Sequence, residues 1–179
     1  MPLYILTGTP GAGKTAILRL LELDGYAVVE EAATDVIAVD QALGHDKPLD
    51  VPAFIDKIVL LQRHRQTGSP AGNGATVFDR SPVCTLALSR YFDVAPSRLL
   101  LEEIDRILAQ RVYEPTVFFV RNQGFVHPTP TRRISYANAL QFERIHENAY
   151  AGLGFQLIEV PAATLTNRVA LVKQTIEQL

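Results

Sequence analysis

GTPGAGKT, residues Gly8–Thr15, lies between an apolar run, LYILT (3–7), and a stretch with helical spacing, KTAILRLLEL (14–23). Glycine is costly to order, so three in so short a segment need a physical reason. The segment matches G-x-x-x-x-G-K-[ST], and a strand before it with a helix after it is the setting that pattern requires. Glycines let the backbone curl until successive N–H groups point inward at phosphate oxygens. The helix beginning near Gly13 adds free N–H groups and the positive end of its dipole. Lys14 is placed to reach the outer phosphates, and the Thr15 hydroxyl to coordinate magnesium. Gly8, Thr9, Pro10, Gly11, Ala12, Gly13, Lys14 and Thr15 are therefore the expected cradle for ATP with Mg2+. An ordinary strand–helix turn with incidental glycines is the alternative, and the specificity of the pattern speaks against it.

Outward from this loop the chain alternates. YAVVE (26–30), ATVFDR (75–80), TVFFV (116–120) and FQLIEV (155–160) read as further strands. Helices are expected over 32–43, 52–66, 82–92, 97–111, 136–153 and 166–178, with Ser81-Pro82 as an N-cap followed by proline at the first helical position. GSPAGNG (68–74) is a loop by composition. Five apolar strands separated by helices argue for an α/β fold with a parallel sheet covered on both faces. In such sheets ligands bind beyond the carboxyl ends of the strands.

Composition narrows the class. The chain has 179 residues, 47% hydrophobic and 20% charged, enough for a single domain over 1–179 with a sizeable core. A formal charge of -2 gives no overall basic field and argues against nucleic acid as a partner. One cysteine, Cys84, excludes an intrachain disulfide and favours an intracellular, cytoplasmic setting. No apolar run reaches a membrane span, and the N-terminus lacks the pattern of a signal peptide.

A phosphate-binding loop needs a carboxylate on the metal side. Asp79, at the end of TVFD, is the candidate, held to magnesium directly or through water. A plain strand-end cap is the competing reading. Arg80 beside it is read either as a phosphate contact or as a solvated surface arginine. VVEEAATD (28–35) offers Glu31 or Glu30, with Asp35 third, to orient an acceptor hydroxyl and take its proton. Those carboxylates also suit the N-terminus of the next helix. The segment 121–135 is lid-like, with Arg132 and Arg133 expected at phosphates and Arg121 stacked on a base. QRHRQ (62–66) reads as a solvated helix end or as a stretch that meets a charged substrate, and Cys84 as core. No histidine has metal-ligand spacing with a cysteine pair, so zinc is not expected.

TGTPGAGKT (7–15), VVEEAATDVIA (28–38), VFDRSP (77–82) and the ending RIHENAYAGLGFQLIEVPAATLTNRVALV (144–172) together resemble ATPases of the AAA-type ATP-binding kind. Those are related to the nicotinamide riboside kinase domain of bacterial NAD regulators. The resemblance covers nearly the whole chain. It implies a P-loop NTPase fold like that of nucleoside monophosphate kinases, with strand order 2-3-1-4-5. It implies ATP and magnesium on Gly8–Thr15 and Asp79, places the family's acidic residue on Glu31, and borders the adenine with Ala162. Family members often carry an arginine where Thr34 stands, and an acidic residue shortly after the D-R pair, where SPVCT has none.

Three functions fit these features. A small-molecule kinase would pass the γ-phosphoryl group of ATP to a hydroxyl or phosphate acceptor, nucleoside-like acceptors included. A slow ATPase would act as an ATP-dependent regulator. A P-loop protein working on nucleic acid or protein would need a basic groove. No acidic residue follows Asp79 and no N-K-x-D signature is present, so motor ATPase and regulatory GTPase both lose ground to a kinase.

Overall fold

The computed structural model describes residues 1–45, 50–68, 74–123 and 136–179. Its five strands are β1 (Leu3–Gly8), β2 (Ala27–Val29), β3 (Thr76–Asp79), β4 (Thr116–Val120) and β5 (Gln156–Val160). The helices are α1 (Lys14–Leu23), α2 (Ala32–Ala42), α3 (Val51–Thr67), α4 (Pro82–Tyr91), α5 (Arg98–Ala109), α6 (Tyr136–Gly152) and α7 (Leu165–Gln178). The strands form one sheet in the order β2-β3-β1-β4-β5, and every pairing is parallel. This is the topology implied by the resemblance.

Apolar runs without alternation produce this sheet because both of its faces are covered. Ile5, Phe78 and Val117 point into a core shared with α3, α4, α5 and α6. Their neighbours Tyr4, Leu6, Val77 and Phe118 point the other way, into a core shared with α1 and α7. Successive side chains alternate across a strand, so a single run feeds two cores. Helix α4 lies deep in the first layer, with Cys84, Ala87 and Ser89 all buried. Its N-cap is Ser81, whose hydroxyl accepts from the Val83 N–H at 3.2 Å. No helix among the described residues is long and apolar enough to cross a membrane.

The parallel arrangement brings the carboxyl ends of β1, β3 and β4 side by side. Leu6 is in register with Asp79 and Gly8 with Val120. The last pair is tight. A Cβ on Gly8 would lie 2.3 Å from the Val120 carbonyl oxygen, and φ there is +135°. No other residue fits this junction. Gly8→Ala is expected to cost at least about 2 kcal/mol, from a disfavoured φ and a backbone clash. Thermal unfolding checks this, and Tm should fall by roughly 4–8 °C for a domain of this size.

Candidate functional site

The loop leaving β1 curls as the sequence requires. Gly11 and Gly13 have φ of +83° and +87°, and Gly13 is the N-cap of α1. No side chain among the described residues caps that helix, so its first N–H groups face the loop. Lys14 is buried, and its Nζ donates to the Thr9 carbonyl at 3.2 Å across the loop. This cradle of backbone N–H groups and one buried ammonium fits a polyphosphate.

Beside it, Thr15 and Asp79 line one small cavity of about 130 Å³, together with Glu30, Glu31 and Asp35. A hydroxyl, a buried carboxylate and acidic surroundings are hard-oxygen donors of the kind magnesium takes when phosphates complete its shell. No cluster of three or more His, Cys, Asp or Glu suited to holding a metal by itself occurs among the described residues. The donor set therefore fits a metal that arrives with a nucleotide.

Glu30 and Glu31 part company where β2 ends. Glu30 turns out to solvent and pairs with Arg19. Glu31, the N-cap residue of α2, turns inward, its carboxylate accepting from Arg80 Nε at 2.5 Å and from the Thr34 hydroxyl at 2.9 Å. Asp35 is held by Arg65, which also donates to the Glu30 carbonyl at 2.8 Å.

Arg80 is not a solvated surface arginine. It is 8% exposed, with φ +76°, a backbone conformation that turns its side chain under α2. Burial opposes its charge, but Glu31, Cys84 and Asp79 outweigh that and hold its pKa above the ordinary guanidinium value. Its Nη1 reaches His146 Nε2 at 3.3 Å. His146 Nδ1 lies 2.9 Å from the Phe142 carbonyl, which only accepts, so the proton sits on Nδ1 and Nε2 accepts from Arg80. Burial first, and then the Arg80 charge, push the His146 pKa down to about 3.

Glu31, Thr34 and Arg80 also line a second pocket, of about 180 Å³ and largely apolar, bounded by Pro10 of the loop and by Phe54, Phe92 and Phe142. Gln62 lies on its wall, buried and accepting from the Thr85 hydroxyl at 2.9 Å. The QRHRQ stretch is thus only in part a solvated helix end, because its first residue faces inward. Cys84 is core as expected, its Sγ 3.1 Å from the Thr7 hydroxyl and 3.0 Å from the Tyr150 hydroxyl.

Among the described residues, the other expected ones line neither cavity. The Arg121 guanidinium sits over the Phe119 ring and among Glu143 (3.1 Å), Glu147 (2.5 Å) and Glu159 (2.6 Å). Burial opposes its charge, yet Glu147 and Glu159 hold its pKa above the ordinary value. Ala162 is in the exposed turn between β5 and α7. Arg132 and Arg133 lie outside the described residues. Sequence reasoning missed His146, Gln62 and Arg168. All three are buried polar residues on helices, a placement that needs tertiary contacts to be seen.

A parallel sheet in the order 2-3-1-4-5 with this loop after its central strand defines a P-loop nucleotide-binding fold of the kinase-like kind. A family model described as AAA domain matches residues 3–168, and the chain belongs to that family. Among solved structures it is similar to deoxyadenosine kinase from M. mycoides with dCMP and dCDP bound, at 14% identity and TM-score 0.65, covering 98% of each chain. The same kinase with bound dATP aligns over 99% of this chain and 100% of that one, at TM-score 0.63 and 14% identity. Thymidylate kinase from Candida albicans aligns at TM-score 0.60 and 12% identity, over 99% of this chain and 91% of that one. These likenesses are of fold. No curated protein gives a significant match.

The buried His146 gives the site a pH signature. Its folded pKa lies near 3, against an ordinary value of 6.5, so the unfolded chain takes up the proton first. Its share of stability is complete above pH 6.5 and is lost as the pH falls from there toward 3. The loss runs at up to about 1.4 kcal/mol per pH unit. His146→Gln, which can still donate to Phe142 and accept from Arg80, should flatten this limb. Urea unfolding of both proteins between neutral and acid pH measures the difference.

Proposed function

We propose that this chain is a small-molecule kinase, transferring the γ-phosphoryl group of Mg-ATP to an acceptor seated in the apolar pocket. One observation carries the reading. Glu31 borders two cavities at once, the one shared by Thr15 and Asp79 and the one enclosed by the phenylalanines. A carboxylate in that position can accept a hydrogen bond from an acceptor hydroxyl and take its proton. An enzyme that only hydrolysed ATP would have no use for a largely apolar chamber beside its base.

The roles follow from position. Bound Mg-ATP supplies the phosphoryl group and the divalent charge. Lys14 and the loop N–H groups hold the phosphates, while Thr15 and Asp79 face the metal. Arg80, buried, and Thr34, exposed at the rim, fix the Glu31 carboxylate between them. Among the described pocket residues the one cation is Arg80, already paired with Glu31. That favours an uncharged hydroxyl acceptor over a phosphate. The aromatic walls favour a flat or apolar body, as in nucleosides.

ADP production from Mg-ATP is the test, across nucleosides, nucleoside monophosphates, nicotinamide riboside and simple metabolite alcohols. At least one hydroxyl acceptor should raise turnover well above background. Glu31→Gln should lower kcat roughly a hundredfold while ATP still binds, and Lys14→Ala should abolish the response. If ATP binds, hydrolysis stays slow and no acceptor accelerates it, the kinase assignment fails and the ATP-dependent regulator takes its place.

A further inference from the structure

Arg168, in the first turn of α7, is among the largest fully buried side chains, 2% exposed. Its Nη1 donates to the Ala12 carbonyl at 2.8 Å and its Nη2 to the Arg121 carbonyl at 3.1 Å. Its Nε has no partner among the described residues. Both acceptors are neutral backbone oxygens, so the guanidinium is hydrogen-bonded without being neutralised. Burial accordingly pushes its pKa below the ordinary guanidinium value. A buried cation without a counter-charge is costly, and proteins retain one where an anion comes to meet it.

The geometry identifies that anion. In a trans peptide the C=O and N–H point in opposite directions, and no cis bond occurs among the described residues. Holding the Ala12 oxygen from behind therefore turns the Gly13 N–H away from Arg168, toward the inner side of the loop. The guanidinium also packs against Gly13, where an added Cβ would lie 3.0 Å from Nη1. The same side chain ties the loop to the end of β4 through the Arg121 carbonyl. Lys14 and Arg168 thus each hold a loop carbonyl, those of Thr9 and Ala12.

We propose that Arg168 is a positioning residue of the polyphosphate site: it fixes the Ala12–Gly13 peptide and sets a positive charge behind the loop whose counterion is the bound phosphate chain. This rests on the nucleotide-binding part of the reading above and not on the identity of any acceptor. Sequence alone does not single it out, because Arg168 lies more than 150 residues from the loop it supports.

Calorimetric titration of the full chain with ADP and with inorganic tripolyphosphate tests this, at several salt concentrations. Arg168→Gln keeps a donor for Ala12 but removes the charge, and Arg168→Lys keeps the charge. Arg168→Gln should weaken both ligands about tenfold or more, the scale of a lost charged hydrogen bond. Its tripolyphosphate affinity should also depend less steeply on salt, a change that looser packing alone does not produce. Arg168→Lys should keep the wild-type salt dependence. Wild-type affinity and salt dependence in a folded Arg168→Gln protein would overturn the proposal. Should that variant not fold, Arg168→Lys decides: binding within about fivefold of wild type supports the charge role, and a loss as large as that of Lys14→Ala overturns it. Failure of the wild-type chain to bind either ligand would overturn the nucleotide reading itself, a result distinct from an indifferent Arg168.

Discussion

A guanidinium buried at the carboxyl end of the sheet constrains everything around it. Arg80 leaves β3 with a positive φ and is buried. Its charge demands an anion and its remaining N–H groups demand acceptors. Glu31 supplies the first from the start of α2, and His146 accepts from α6. Two helices from different parts of the chain are thereby held to one strand end. Removing one partner of such a buried pair costs on the order of 3–5 kcal/mol, which makes the arrangement rigid.

The consequence is a site in two compartments with a shared wall. On the loop side, polar groups dominate: backbone N–H groups, Lys14, Thr15 and Asp79. On the other side are Phe54, Phe92 and Phe142, with few polar atoms among them. Charge stabilisation is strongest where water is excluded, and an apolar chamber excludes it without placing competing charges near the transfer. Arg168 extends the same logic behind the loop, where a second buried cation waits without a carboxylate.

The elements that local chemistry governs were legible in the chain. The expected bounds of α1 and β4 coincide with those found, because apolar periodicity and capping residues act over a few positions. The Ser81 cap behaves as its type predicts. Glu30 and Glu31 were indistinguishable, since one peptide unit separates them and only the exit angle of β2 decides which faces the pocket. Arg80 was read as equally suited to surface or site. Its burial depends on α2 and α6 closing over β3, and neither helix is near it in sequence. Gln62, taken with its charged neighbours, was assigned to solvent, whereas α4 packs against it and Thr85 occupies its oxygen.

By itself, then, the sequence determined that a phosphate-binding loop joins a buried strand to a helix within a parallel α/β fold. Glycine, lysine and threonine at fixed spacing have few other uses, and their geometry is local. Tertiary structure alone decided which carboxylate turns inward to the apolar pocket and which arginines are buried. It also decided what lies opposite the loop. These outcomes come from side chains tens of residues apart sharing one dehydrated volume, where burial makes each charge depend on a partner from another element.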